Sequence, residues 1–134
     1  MTDRLKFELV SPERLLLSEE ASMVTVPGTE GEFGVLADHA PFMTALRPGM
    51  IEVENESGGH RIFVWGGFAE VNEQGLTILA EDAQKMEDVD MDAMAQRIKD
   101  LEEDVADYDD PLKKEEAADR LWHIRQMYDA ARAG

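Results

Sequence analysis

The sequence predicts an N-terminal β-sandwich over residues 1–86, followed by a C-terminal antiparallel two-helix hairpin over residues 87–134. Three observations carry that expectation. Nine of the ten glycines lie at or before Gly75, and four of the five prolines at or before Pro48. Short β-prone runs separated by turn residues fill the same part of the chain, a spacing that belongs to sandwiches and barrels. After Lys85 the composition shifts to Ala, Met, Glu, Asp and Lys with one internal breaker, Pro111, and apolar residues recur at helical intervals.

The elements follow in order. Phe7 and Leu9, then Met23, Val24 and Val26, begin the strand-forming part. Ile51-Glu-Val-Glu-Asn alternates apolar and polar residues, the period-two signature of a half-buried strand. Arg61-Ile-Phe-Val-Trp follows the turn residues Ser57-Gly-Gly, and Leu76-Thr-Ile-Leu-Ala follows Asn72-Glu-Gln-Gly. Asp90 is placed to cap a first helix carrying Met91, Met94, Ile98, Leu101, Val105 and Tyr108, spaced three and four apart on one face. Asp110 caps a second helix with Pro111 at its first position. Its stripe runs through Ala117, Leu121, Ile124, Tyr128 and Ala131, with Trp122 and Met127 off the stripe. Two such seams joined by a short polar turn predict an antiparallel pair. An alanine-rich hairpin of this size buries little apolar area alone, so it is expected to dock on a neighbour.

Charge and composition exclude whole classes of function. Thirteen basic and thirty acidic residues leave a formal charge of -17. Such a surface repels phosphate backbones and anionic lipid, which argues against nucleic-acid binding and direct membrane docking. With no cysteine there is no disulfide framework, cysteine nucleophile or thiolate metal site. Three scattered histidines, His39, His60 and His123, do not supply a metal centre, and no cofactor is expected. No serine sits in a nucleophile-elbow setting. The polar N-terminus lacks the apolar run of a signal peptide. The glycines of Gly28-Thr-Glu-Gly-Glu-Phe-Gly suit tight turns better than phosphate binding, because Glu30 and Glu32 repel phosphate. Gly28, Gly31 and Gly34 are expected where the backbone needs φ > 0.

The stretch from Val26 to Ile51 holds P-G-x-x-G-x-x-G-V-L, then H-A-P, then T-x-L-x-P-G. Later come Gly66-Gly-Phe-Ala-Glu-Val and Leu76-Thr-Ile-Leu-Ala-Glu. This order closely resembles the epsilon subunit of bacterial rotary ATP synthases, the homologue of mitochondrial delta, and the resemblance runs along the whole chain. It implies a non-catalytic part of the central stalk whose sandwich contacts the gamma subunit and rests on the ring of c subunits. It places Glu32 and His39 toward the c ring. It also suggests Phe63, Trp65 and Phe68 as gamma-facing apolar residues. The hairpin would fold beside the sandwich or reach along gamma to the alpha and beta subunits, where it brakes ATP hydrolysis. The location implied is peripheral, at the cytoplasmic face of a bacterial inner membrane and tied to the bilayer only through the ring. A chloroplast-encoded member is the alternative origin.

Two departures from the family pattern matter. The nucleotide-binding pattern I/L-D-x-x-R-A reads Val89-Asp-Met-Asp-Ala93-Met94 here, so Asp90 is a remnant and the arginine is missing. ATP binding is expected to be weak or absent. The last helix, strongly basic in inhibitory members, carries five cations against four acids over residues 112–134, with Arg125 and Arg132 as a short basic edge. Weak inhibition follows from that dilution. The competing reading is a free-standing β-sandwich that senses a small ligand, which requires a pocket with convergent polar groups.

Overall fold

The computed structural model describes residues 4–133. They form ten strands and two helices: β1 (Leu5–Val10), β2 (Leu15–Ala21), β3 (Met23–Gly28), β4 (Gly31–Val35), β5 (Phe42–Leu46), β6 (Gly49–Asn55), β7 (Gly58–Val64), β8 (Gly67–Asn72), β9 (Gly75–Leu79), β10 (Ala83–Lys85), α1 (Met91–Asp107) and α2 (Pro111–Ala133). A single 3₁₀ turn, Met86–Asp88, precedes α1. The chain divides after Glu87 into two compact units.

In the first unit the strands follow the order β10-β7-β6-β3-β5-β8-β9-β1-β2, with β4 paired to β3. The path bends at β3 and β5, which share one register pair, Gly28 with Leu46. The two halves enclose one core. Leu5, Phe7 and Leu9 of β1, Val24 and Val26 of β3, Ile51 and Val53 of β6, Ile62 and Val64 of β7, and Leu76 and Ile78 of β9 are all buried. Alternation along each strand places these side chains inward, and full burial of each contributes about 1.5–3 kcal/mol. The seam between β2 and the β6–β7 hairpin is closed by polar contacts. The Ser22 amide donates to Glu54 O at 2.8 Å. Glu19 lies 2.7 Å from His60 Nε2 and accepts from Asn55 Nδ2 at 3.5 Å.

Sequence periodicity recognises β3, β6, β7 and β9 but leaves β2, β4, β5 and β10 unassigned. Those strands take their identity from partners: β4 and β10 each pair with one neighbour, and β2 carries a bulge where Leu15 and Leu17 oppose Val10 and Leu9. The glycine expectation needs correction. Of Gly28, Gly31 and Gly34, Gly31 alone has positive φ, at 134°. Gly28 is required by space instead, since a Cβ there would stand 2.8 Å from both Gly31 O and Phe33 Cε1.

The second unit is an antiparallel helical pair. Asp90 is extended, φ -95° and ψ 109°, and its carboxylate accepts from the amides of Asp92 and Ala93, so α1 begins on a side-chain cap. Asp110 does the same for Leu112 at 3.1 Å, with Pro111 opening α2. Met94 and Leu101 of α1 are buried, as are Ala117 and Met127 of α2. Met127 is thus an inward residue although it lies off the predicted stripe. Trp122, 55% exposed, is not.

Candidate docking surfaces

Four register pairs line up on the outward side of the β5-β8-β9-β1-β2 half. Ala45 is opposite Phe68, Phe68 opposite Leu79, Leu79 opposite Val10, and Val10 opposite Leu15. Strands about 4.8 Å apart make this a row about 20 Å long. Phe68 is 54% exposed, Leu15 53% and Leu79 43%, so the row is apolar and open to water. The row two residues along is different in kind: Met43, Glu70, Thr77, Glu8 and Ser18. The apolar surface therefore lies toward one end of the outer face. On a chain of charge -17, this contiguous exposed apolar row is the candidate contact surface.

Of the three aromatic residues singled out from the sequence, Phe68 belongs to this row and the others do not. Phe63 alternates with the core residues Ile62 and Val64 on β7 yet is 1% exposed, so its ring offers a partner no surface in this conformation. Trp65 is half-buried and packs edge-on against Phe63, centroids 4.9 Å apart. Because β7 lies in the other half of the sandwich from β8, the three do not form one patch. The sequence signal for the rest of the row was faint. Val10, Leu15 and Leu79 look like ordinary strand residues until the register is known.

Glu32 and His39 also separate. Glu32 is the second residue of β4, beside the tight turn that pairs Gly28 with Gly31. The turns at residues 11–14, 47–48 and 65–66 cluster at that same end. His39 lies in the loop beyond the opposite end of β4. Its Nδ1 is 3.0 Å from Ala40 O, and its ring stands 4.9 Å from that of Phe42, which in turn packs edge-on with Phe33 at 5.2 Å. Both residues are exposed, but their positions place them on different rims.

The hairpin residues are accounted for by the hairpin itself. The Asp90 carboxylate is occupied by two amides, at 3.0 and 3.2 Å. Arg125 forms an ion pair with Glu102 of α1. The Arg132 guanidinium sits over the Tyr128 ring, 5.5 Å from its centroid. Among the described residues, no group of three or more His, Cys, Asp or Glu is placed to hold a metal. No helix among them is long and apolar enough to cross a membrane. An open groove lined by Glu52, Val53, His60, Arg61 and Glu87 mixes charges of both signs rather than converging on one ligand group.

The fold is that of a β-sandwich followed by a two-helix hairpin, with an exposed apolar row on the sandwich. A family model described as the ATP synthase delta/epsilon chain, β-sandwich domain, matches residues 4–86. The ATP synthase epsilon chain of Parvibaculum lavamentivorans is 48% identical over 128 residues, covering 95% of this chain and 97% of that one. The epsilon chain of Mesorhizobium japonicum is 48% identical over 131 residues, covering 97% of each. A chain in the Euglena gracilis mitochondrial ATP synthase structure of OSCP, F1 and c-ring superposes with a TM-score of 0.73 at 25% identity, covering 98% of this chain and 81% of that one. The chain belongs to the ATP synthase delta/epsilon family, whose members are subunits of the complex that synthesises ATP.

Proposed function

We propose that this protein is a non-catalytic rotor subunit of a proton-transporting ATP synthase, coupling rotation of the c ring to the gamma shaft and the catalytic head. The observation that carries the reading is the apolar row from Ala45 to Leu15. A rotor part transmits torque through a broad rigid contact, and five adjacent strands supply one. Gamma packs on this face, with Phe68, Leu79 and Leu15 as its anchors; Phe63, buried on β7, and Trp65 beside it in the other half lie outside this contact.

The end of the sandwich that carries Glu32 faces the c ring. Its neighbours there include Glu13, Glu30, Glu81 and Asp82 against Arg14 and Arg47, and this net-acidic rim suits basic groups on the polar loops of the ring. His39, on the opposite rim, is reassigned to holding its own loop through Ala40 and Phe42. The hairpin is a weak brake on hydrolysis through alpha and beta, and the sandwich sits at the cytoplasmic face of a bacterial inner membrane, held there by the ring.

Size-exclusion chromatography with the cognate catalytic head containing gamma, at sub-micromolar concentration, tests the assignment. Stoichiometric co-elution is expected. Separate elution at every salt concentration overturns it and returns the small-ligand sensor to first place.

A further inference from the structure

Both arginines of the basic edge on α2 are engaged within the hairpin, Arg125 by Glu102 across the helix pair and Arg132 by Tyr128 on the same helix. The Glu102 and Arg125 side chains are each 46% exposed, so the pair lies where another carboxylate can reach it. Glu102 follows the buried Leu101 on α1, which fixes the height at which its carboxylate meets α2. Glu102 meets Arg125 through Nη2 alone, so a second acid that takes a bidentate fork using the same Nη2 hydrogen must displace it.

We infer that Glu102 is an internal counter-ion that competes with acidic partner surfaces for Arg125 and thereby limits how strongly the hairpin brakes ATP hydrolysis. The inference rests on the rotor assignment and on the braking role given to the hairpin. It locates the weakness of the brake in one contact on α1, in addition to the low net charge of α2. Exposed ion pairs contribute little, so removing this competitor shifts the balance by about two- to fivefold.

The test uses full-length chains assembled with the catalytic head and gamma: wild type, Glu102→Gln, Arg125→Gln, and the double variant. ATP hydrolysis falls with Glu102→Gln, by up to about threefold because the braked state is at most half populated in wild type, while Arg125→Gln and the double variant match wild type. The double variant matters because it also lacks the bridge between the helices. If a loosened hairpin rather than a freed arginine caused the effect, the double variant would be as inhibited as Glu102→Gln, and the inference would be wrong. Unchanged hydrolysis with Glu102→Gln also overturns it. Failure of the wild-type chain to co-elute with the head instead rejects the rotor assignment, and this inference with it.

Discussion

At the scale of single residues, the family motifs turn out to be demands of the backbone. Gly67 has φ 136°, and a Cβ on it would stand 2.2 Å from Leu79 O, in the very strand it pairs with. Gly31 has a similar φ but open space around it. Substitution to alanine should therefore cost about 1 kcal/mol at Gly31, where dihedral strain alone acts, and well over 2 kcal/mol at Gly67, where the strand must also move. Urea midpoints of the two variants check this, and equal losses would contradict it. Asp90 makes a similar point about inherited sequence. Its carboxylate caps α1, so Asp90→Ala should remove about 1 kcal/mol from the hairpin. With that carboxylate occupied and Ala93 in place of a cation, calorimetric titration of the wild-type protein with ATP should show no binding in the micromolar range.

At the scale of elements, contact residues emerge from register rather than from composition. Phe68→Ser, Leu79→Ser and Leu15→Ser each remove a side chain that is about half exposed in the free chain. Each should weaken association with the gamma-containing head by about tenfold while leaving the unfolding midpoint nearly in place. A variant that binds normally would take its residue out of the interface. Both helices were legible in the sequence, because Asp90, Asp110 and Pro111 act locally and the apolar spacing on α1 is regular. The inward position of Met127 was not, because it depends on what α2 meets and not on α2 alone. The strands with alternating residues were legible too. The row from Ala45 to Leu15 was not, since it joins residues from five strands through pairings that no short window contains. The same limit hides that Glu32 and His39, seven positions apart in sequence and both assigned to the c ring by the family pattern, lie at opposite ends of β4. It also explains why Phe63 looked available, for alternation on β7 points it away from the sandwich core but does not reveal that it is buried.

At the scale of the whole molecule, the chain forms two compact units, and truncation tests the separate tasks proposed for them. The sandwich core is drawn from strands before residue 87, so removal of residues 89–134 should preserve co-elution with gamma. ATP hydrolysis by the assembled enzyme should then change by less than about twofold, because α2 is electrostatically diluted and Arg125 and Arg132 are engaged. A several-fold rise would show a stronger brake than proposed. Attachment to the c ring should weaken as salt rises, given the acidic rim around Glu32, whereas the apolar contact with gamma should persist. The sheet path carries one more consequence, for the order in which the chain acquires structure. Strand β1 lies parallel to β9, with Phe7 opposite Leu76, so the first strand to be synthesised has half of its pairing supplied by nearly the last of its unit. Until β9 emerges from the ribosome, Phe7 and Leu9 have no closed core to enter, and this non-local step should govern the folding rate of the sandwich. The hairpin, built from adjacent helices, carries no such delay, and it is made only after the sandwich has everything it needs to close.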